Sequence, residues 1–415
     1  MSLPAWSDTA IWYAIYPLGF TDAPSVHSVD ETQTVPRLRR IIGWLDHIIA
    51  LGCNGILLGP IFSSASHGYD TCDHFTIDKR LGDEPDFDAL VQACHSRGIR
   101  LVLDGVFNHV GEDHPFVASA VADKASEYND WFFITREGDR VHWLNFEGSN
   151  NLVRLNHDHP PVVDYIEKVM DYWLSKGADG WRLDAAYAVK PEIWAELERR
   201  LRPRHEQMLT IAEVIHRQDG WCETSHLNSI TAYEMWKAIW SSIADCNFFE
   251  LEWSIQRHRE LASIIRPLTF ISNHDVTRIA TTVSLKGAAL AAAIMMTLPG
   301  MPALYYGDEG GVQGTKYERE GGDDEIRRPL AESPEKWQMP YETMMGIYQS
   351  LIGIRRRHPW LVDADIFTCE LRNEYIRYRL SGDGEWMEVA LSLGECHQIV
   401  ITDATGEIYR LDIAD

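Results

Sequence analysis

Positive charge is scarce in this chain. Lys and Arg together number 38 against 62 Asp and Glu, a net charge of −24. Nucleic acid needs a basic footprint, and the same negative field repels anionic membranes and acidic substrates, so no nucleic-acid partner and a neutral ligand are expected. No stretch stays apolar for the roughly eighteen residues of a membrane span. The opening residues, MSLPAWSDTAIWYAIYPLGF, lack the basic start and small-residue cleavage site of a secretion signal. A cytoplasmic protein without a membrane segment is the expectation. Cysteine is sparse too: seven, at 53, 72, 94, 222, 246, 369 and 396, never as CxxC. That scattered, odd set excludes a disulfide framework and a cysteine zinc site.

What is present is core. With 415 residues, 45% of them apolar, the chain is long enough for more than one domain. Short strand-like runs occur at 11–18, 53–60, 99–107, 180–186, 209–214, 229–234, 268–273 and 301–309. Segments with helical spacing lie between them, at 36–52, 85–98, 161–177 and 287–298. Eight strands alternating with helices fit a (β/α)8 TIM barrel of the α/β class, or a large doubly wound sheet. No glycine-rich phosphate loop follows a strand, which lowers the nucleotide-binding form of the second. The polar stretch 110–156 reads as a short insertion after the third strand. Helical periodicity stops after RRRHPW (355–360), and the alternating runs that follow read as a small C-terminal β domain. The expected limits are 1–109 and 157–360 for the barrel, 110–156 for the insertion and 361–415 for the β domain.

The polar residues are placed unusually. Strand side chains alternate faces, so Arg182 and Asp184 in DGWRLDAA share one face of an otherwise buried strand. Asp104, Asn108 and His109 end the third strand, Glu213 ends the fifth, and His274 and Asp275 follow the seventh. In a barrel those ends converge on the face where active sites are built. A structural ion pair would explain Arg182 and Asp184 alone; it does not explain four strands together.

Asp184, Glu213 and Asp275 suit either a metal site or glycosidic chemistry. The metal reading can draw on His109 and His274, but it sets Arg182 beside the cation. The glycosidic reading uses every member, because a retaining mechanism needs one ionised carboxylate and one protonated acid, about 5 to 5.5 Å apart. Arg182 is expected to keep Asp184 ionised, and the apolar neighbours Val214 and Ile215 to raise the pKa of Glu213 by desolvation.

DGVFNH (104–109), GWRLDAA (180–186), AEV (212–214) and FISNHD (270–275) resemble, in order, the four short motifs of the α-amylase family, glycoside hydrolase family 13. HGYDTCDHFTID (67–78), LVRLN (152–156), PGMPALYYGDEGG (299–311) and RRPL (327–330) resemble further family segments. The resemblance implies Asp184 as nucleophile, Glu213 as general acid/base and Asp275 as the stabiliser of the transition state. It implies that Arg182 orients Asp184, that His109, His274 and Asp70 bind sugar hydroxyls, and that Tyr69 offers a stacking face. NHDVTRI (273–279) is similar to the neopullulanase and cyclomaltodextrinase branch.

Three departures qualify that branch. The first barrel strand starts near residue 11, without the N-terminal β domain through which those relatives dimerise, so a homodimer stands only as an open expectation. Ile215 and His216 stand where many relatives carry a tryptophan beyond the acid/base. Tyr187 and Ala188 replace the Lys and His of classical α-amylases, which weakens their calcium site although Asn108 remains. No metal and no cofactor are therefore expected. The resemblance implies a retaining hydrolase of small or cyclic malto-oligosaccharides, cutting α-1,4 or α-1,6 bonds, including those of a cyclic tetrasaccharide of maltose units. A transglycosylase, a metal-dependent barrel hydrolase and a catalytically inactive binding subunit are the rivals.

Overall fold

The computed structural model describes residues 3–25, 33–138, 140–216, 220–319 and 321–413, so the ends of the first and last segments read above, and Asp139 in the insertion, lie outside the described residues. Eight parallel strands close into a barrel: Trp12–Ile15, Gly55–Leu58, Arg100–Gly105, Gly180–Leu183, Leu209–Ala212, Ser229–Thr231, Arg266–Phe270 and Met301–Tyr305. Each pairs with its neighbours in sequence, and the first closes the ring on the eighth through Trp12↔Ala303. Seven fall inside the runs picked out by apolar content, and the seventh in order, Arg266–Phe270, begins two residues before its run of 268–273. Strands of a closed barrel are buried on both faces and so read as continuous apolar stretches.

Tight approach at the fourth strand explains its first residue. A Cβ on Gly180 would lie 2.1 Å from the Leu209 carbonyl oxygen of the adjoining strand, so only glycine lets Arg182 and Asp184 enter the ring in register.

Two helical segments differ from the sequence reading. The 36–52 stretch forms two helices, Leu38–Ile42 and Leu45–Leu51, interrupted at Gly43 and the fully buried Trp44. Trp44 packs edge-on against Phe20, and glycine's poor helix propensity places the break there. The helix Ser284–Thr297, which shows hardly any polar face, lies between the barrel and a C-terminal sheet, and is buried from Gly287 to Thr297.

That sheet has five antiparallel strands, Asp365–Arg372, Tyr375–Gly382, Glu385–Ser392, His397–Asp403 and Gly406–Ile413. Its inner face, with Ile376, Tyr378, Leu380, Val389 and Ile399, is fully buried, and the Tyr378 hydroxyl meets Thr297 Oγ1 at 2.7 Å. Between the third strand and the helix Pro160–Ser175, the chain forms a helix, Pro115–Ala122, and small antiparallel sheets. In one of them His109–Gly111 pairs with Ser149–Arg154, so the insertion grows directly out of a residue of the site.

Candidate active site

The polar residues singled out in the sequence meet at the C-terminal mouth of the barrel. A cavity of about 380 Å³ there is lined by Asp184, Glu213, Asp275, Tyr69 and His109. Arg182 and His274 are not among its lining residues; they line a second cavity with strand residues such as Leu57 and Phe270.

Arg182 is the hub. Its Nη1 donates to Asp104 at 2.9 and 3.1 Å and to Asp184 Oδ1 at 2.9 Å, while Nη2 contacts Glu213 Oε1 at 2.8 Å. Three buried carboxylates thus share one guanidinium, whose fixed fork of donors a lysine could not reproduce. The Arg182–Asp184 ion pair considered from the sequence is present, and Asp104 and Glu213 share the same guanidinium.

Glu213 is held by three donors. Besides Arg182, the Tyr233 hydroxyl donates to Oε1 at 3.1 Å and the Ala185 N–H to Oε2 at 2.9 Å. Ala185 is left-handed, with φ 45° and ψ 36°, a conformation that costs a non-glycine residue about 1 to 2 kcal/mol. The strain aims its N–H at Glu213.

The electrostatics differ from the sequence expectation. Burial pushes the Asp184 carboxyl well up and the charge of Glu213 adds to this, outweighing the opposing pull of Arg182. Arg182, divided among three carboxylates, offsets only part of that rise at Asp184. Glu213 is buried next to Val214 and, in addition, held by the three donors named above.

Asp275 is the contrast. Burial would raise its pKa, but His274 and Arg327 outweigh this and hold it well below the usual carboxylate range. His274 Nε2 lies 3.0 Å from Oδ2 and Arg327 Nη2 donates to Oδ1 at 3.1 Å. Arg327 also donates to the His274 carbonyl at 2.9 Å and pairs with Asp323 at 2.8 Å. The Tyr69 ring lies parallel to His274 with centroids 5.2 Å apart; its hydroxyl bonds Asp104 at 3.1 Å and also contacts His274 Nε2.

His109 is buried. Its ring nitrogens meet the Tyr69 carbonyl and Asn108 Nδ2, each at 3.1 Å, and Phe146 stacks on it at 4.8 Å. Burial pulls its pKa down to about 3, so it meets a ligand as neutral imidazole. Asp70 stands apart. Its carboxylate accepts from the Ser66 N–H at 3.1 Å and the Ser66 hydroxyl at 2.5 Å, closing a turn, and it does not line the cavity.

Several residues at the site carried no signal of their own. Tyr233 opens the helix after the sixth strand, and its hydroxyl also accepts from Asn273 at 3.0 Å. Phe146 and Glu147 come from a hairpin tip of the insertion, and Asp323 from the long connection after the eighth strand. Arg327 was visible only inside RRPL.

Calcium does not fit the donors present. Asn108 Oδ1 is buried without a hydrogen-bond partner, but Arg154, paired in register with His109, turns its guanidinium to the Ala188 carbonyl at 3.4 Å. Calcium takes six to eight oxygen ligands, and Asn108 Oδ1 and the Ala188 carbonyl supply two. Among the described residues no group of three His, Cys, Asp or Glu is placed to hold a metal.

The family described as "Alpha amylase, catalytic domain" matches residues 14–368. A cyclomaltodextrinase from Bacillus sp is 30% identical over 94% of this chain and 73% of its own length. Neopullulanase 2 of Thermoactinomyces vulgaris is 29% identical over 94% of this chain and 72% of its own. Among solved structures, cyclic α-maltosyl-(1→6)-maltose hydrolase from Arthrobacter globiformis, in complex with cyclic α-maltosyl-(1→6)-maltose, superposes with a TM-score of 0.83 at 27% identity, covering 99% of this chain and 100% of that one. The carboxylate site, the barrel that carries it and the extent of these matches agree: the chain belongs to the alpha-amylase family of glycoside hydrolases.

Proposed function

We propose that the protein hydrolyses α-glucosidic bonds of small malto-oligosaccharides with retention, and that cyclic α-maltosyl-(1→6)-maltose, opened at an α-1,6 bond, is its preferred substrate. The observation that carries the chemistry is the single guanidinium shared by Asp184 and Glu213. It keeps the two carboxyl groups within the span of one fork, the compact arrangement that a double displacement uses.

In the first half-reaction Asp184 attacks the anomeric carbon while Glu213 gives its proton to the departing glycosidic oxygen. One C–O bond breaks and a glycosyl ester forms. Glu213, now ionised, takes a proton from water, whose oxygen displaces Asp184 and returns the sugar with its original anomeric configuration. The pair must hold one proton between them at the start, on Glu213. Asp275, kept ionised by Arg327 and His274, is available to sugar hydroxyls and to the developing positive charge.

The substrate reading is supported by the superposition, over 99% of this chain, with the Arthrobacter globiformis hydrolase in complex with cyclic α-maltosyl-(1→6)-maltose. All seven cysteines are free thiols, in keeping with a reducing compartment, and we place the enzyme in the cytoplasm. No helix among the described residues is long and apolar enough to cross a membrane.

Proton NMR on linear α-maltosyl-(1→6)-maltose tests the reading. Maltose as sole product, released first as the α-anomer, is the expected result. Glucose with a trisaccharide would assign the cut to an α-1,4 bond, and a β-anomer would overturn retention.

A further inference from the structure

Glu213 protonates the departing oxygen, so the residues beside it, away from Asp275 and His274, face the sugar that leaves. Among the side chains that line the cavity, Ile215 lies two residues past Glu213 and Tyr187 three past Asp184, while the Tyr233 hydroxyl is taken up by Glu213 itself. Ile215 offers no flat face and no polar atom. Tyr187 lies in the single 3-10 turn Ala186–Ala188 just after the nucleophile, and its N–H meets the Glu213 carbonyl at 3.3 Å.

The Tyr187 ring is half-buried, and its hydroxyl donates to Glu147 Oε1 at 2.6 Å. Glu147 belongs to the insertion, at the tip joining Asn145–Phe146 to Ser149–Arg154. The tip is a two-residue turn with Glu147 at φ 49° and Gly148 at φ 81°, the left-handed pair of a tight hairpin. Its other anchor is Phe146, stacked on His109. The hairpin is thus fastened at one side to the residue below the cleavage point and at the other to the ring beside the acid/base.

We propose that Tyr187 is the stacking platform for the leaving-group sugar, and that Glu147 holds the ring in place from the insertion. The assignment rests on the hydrolase reading above. A pyranose presents an apolar C–H face that covers an aromatic ring well, while its rim of hydroxyls needs polar partners. A ring already immobilised by a hydrogen bond loses little further freedom when the sugar arrives. The pair supplies the face and, on the carboxylate, an acceptor beside it. It takes over the aromatic role that Ile215 cannot fill.

Two substrates separate this role from a structural one: α-maltosyl fluoride, whose leaving group is not a sugar, and maltotetraose, which fills the leaving side. The readout is the ratio of kcat/KM for maltotetraose to that for the fluoride. Tyr187→Leu is expected to lower the ratio about tenfold, the scale of one lost aromatic contact. Tyr187→Phe and Glu147→Ala each cut the tether, and are expected to lower it about threefold through KM, with the double variant no worse than either. An unchanged ratio in Tyr187→Leu, or tether effects that multiply in the double variant, would overturn the proposal. Failure of the unaltered protein to turn over either substrate would overturn the hydrolase reading itself.

Discussion

Glu213 is contacted at 2.8 Å by Nη2 of Arg182, the guanidinium whose Nη1 bonds Asp184 at 2.9 Å. The proposed nucleophile and acid/base are therefore coupled through one cation, and what weakens it disturbs both. Arg182→Lys keeps the charge but cannot reach Asp104, Asp184 and Glu213 together. Charge-assisted bonds are worth about 1.5 to 3 kcal/mol each, so kcat should fall by roughly 10² to 10⁴. Initial rates on maltotetraose would measure this, and a loss below tenfold would remove Arg182 from its central place.

The two carboxylates should separate by leaving group. Asp184→Asn should reduce turnover of both maltotetraose and α-maltosyl fluoride by about 10³ or more, with the thermal unfolding profile retained. Glu213→Gln should lose a similar factor on maltotetraose but far less on the fluoride, which departs without full protonation. Equal losses on both substrates in Glu213→Gln would reverse the assignment of roles.

The pH profile follows from the raised Asp184. Attack requires its ionised form, so kcat/KM should fall as pH drops through a value above the ordinary aspartate range of about 4. Since Glu213's charge contributes to the rise, Glu213→Gln should move this acid limb to lower pH, measured on α-maltosyl fluoride. A limb that stays in place would mean that burial alone raises Asp184.

Arg154 makes a prediction about metal. If its guanidinium stands in for a cation between the insertion and the Ala188 carbonyl, incubation with EDTA and then dialysis should leave kcat and the melting temperature unchanged. Arg154→Ala should loosen the insertion and lower the melting temperature, because a part-buried hydrogen bond and its packing are lost. Activity lost on chelation and restored by calcium would overturn this reading of the donor set.

The barrel was legible because each strand is an apolar run, and four of them carry at or just past their ends a residue of the wrong polarity, such as Asp104 or Glu213. The site was legible to the same extent, since those residues sit on strands whose convergence follows from the fold. Partners carried on segments without a period were not. Nothing local to Tyr233, Glu147 or Asp323 says which barrel strand it will face. The turn of Asp70 toward Ser66 depends on a local hydrogen bond that competes with the cavity. The expectation for Asp184 missed the sharing of Arg182, because pair distances between strands are absent from a linear sequence.

The last prediction concerns the support behind Asp275. Arg278 is fully buried, stacked near Tyr305 with its guanidinium carbon 4.0 Å from the ring centroid, and it donates to the Tyr306 carbonyl at 2.6 Å and the Ile326 carbonyl at 3.0 Å. Ile326 precedes Arg327, so Arg278 fixes the chain that carries the partner of Asp275. Asp308 pairs with Arg278 at 3.0 Å, yet burial outweighs that pairing and pushes its carboxyl up to about 6. The native state thus holds the Asp308 proton more tightly than the unfolded chain, where the value is about 4. The stabilisation is fully present below that unfolded value and is lost as pH rises through about 6. Relative to Asp308→Asn, the unaltered protein should therefore lose about 2 to 3 kcal/mol of unfolding free energy between pH 4 and pH 7. Urea unfolding of both proteins at the two pH values measures the difference. A gap that stays constant with pH would show that the Arg278 pair, and not burial, decides the state of Asp308.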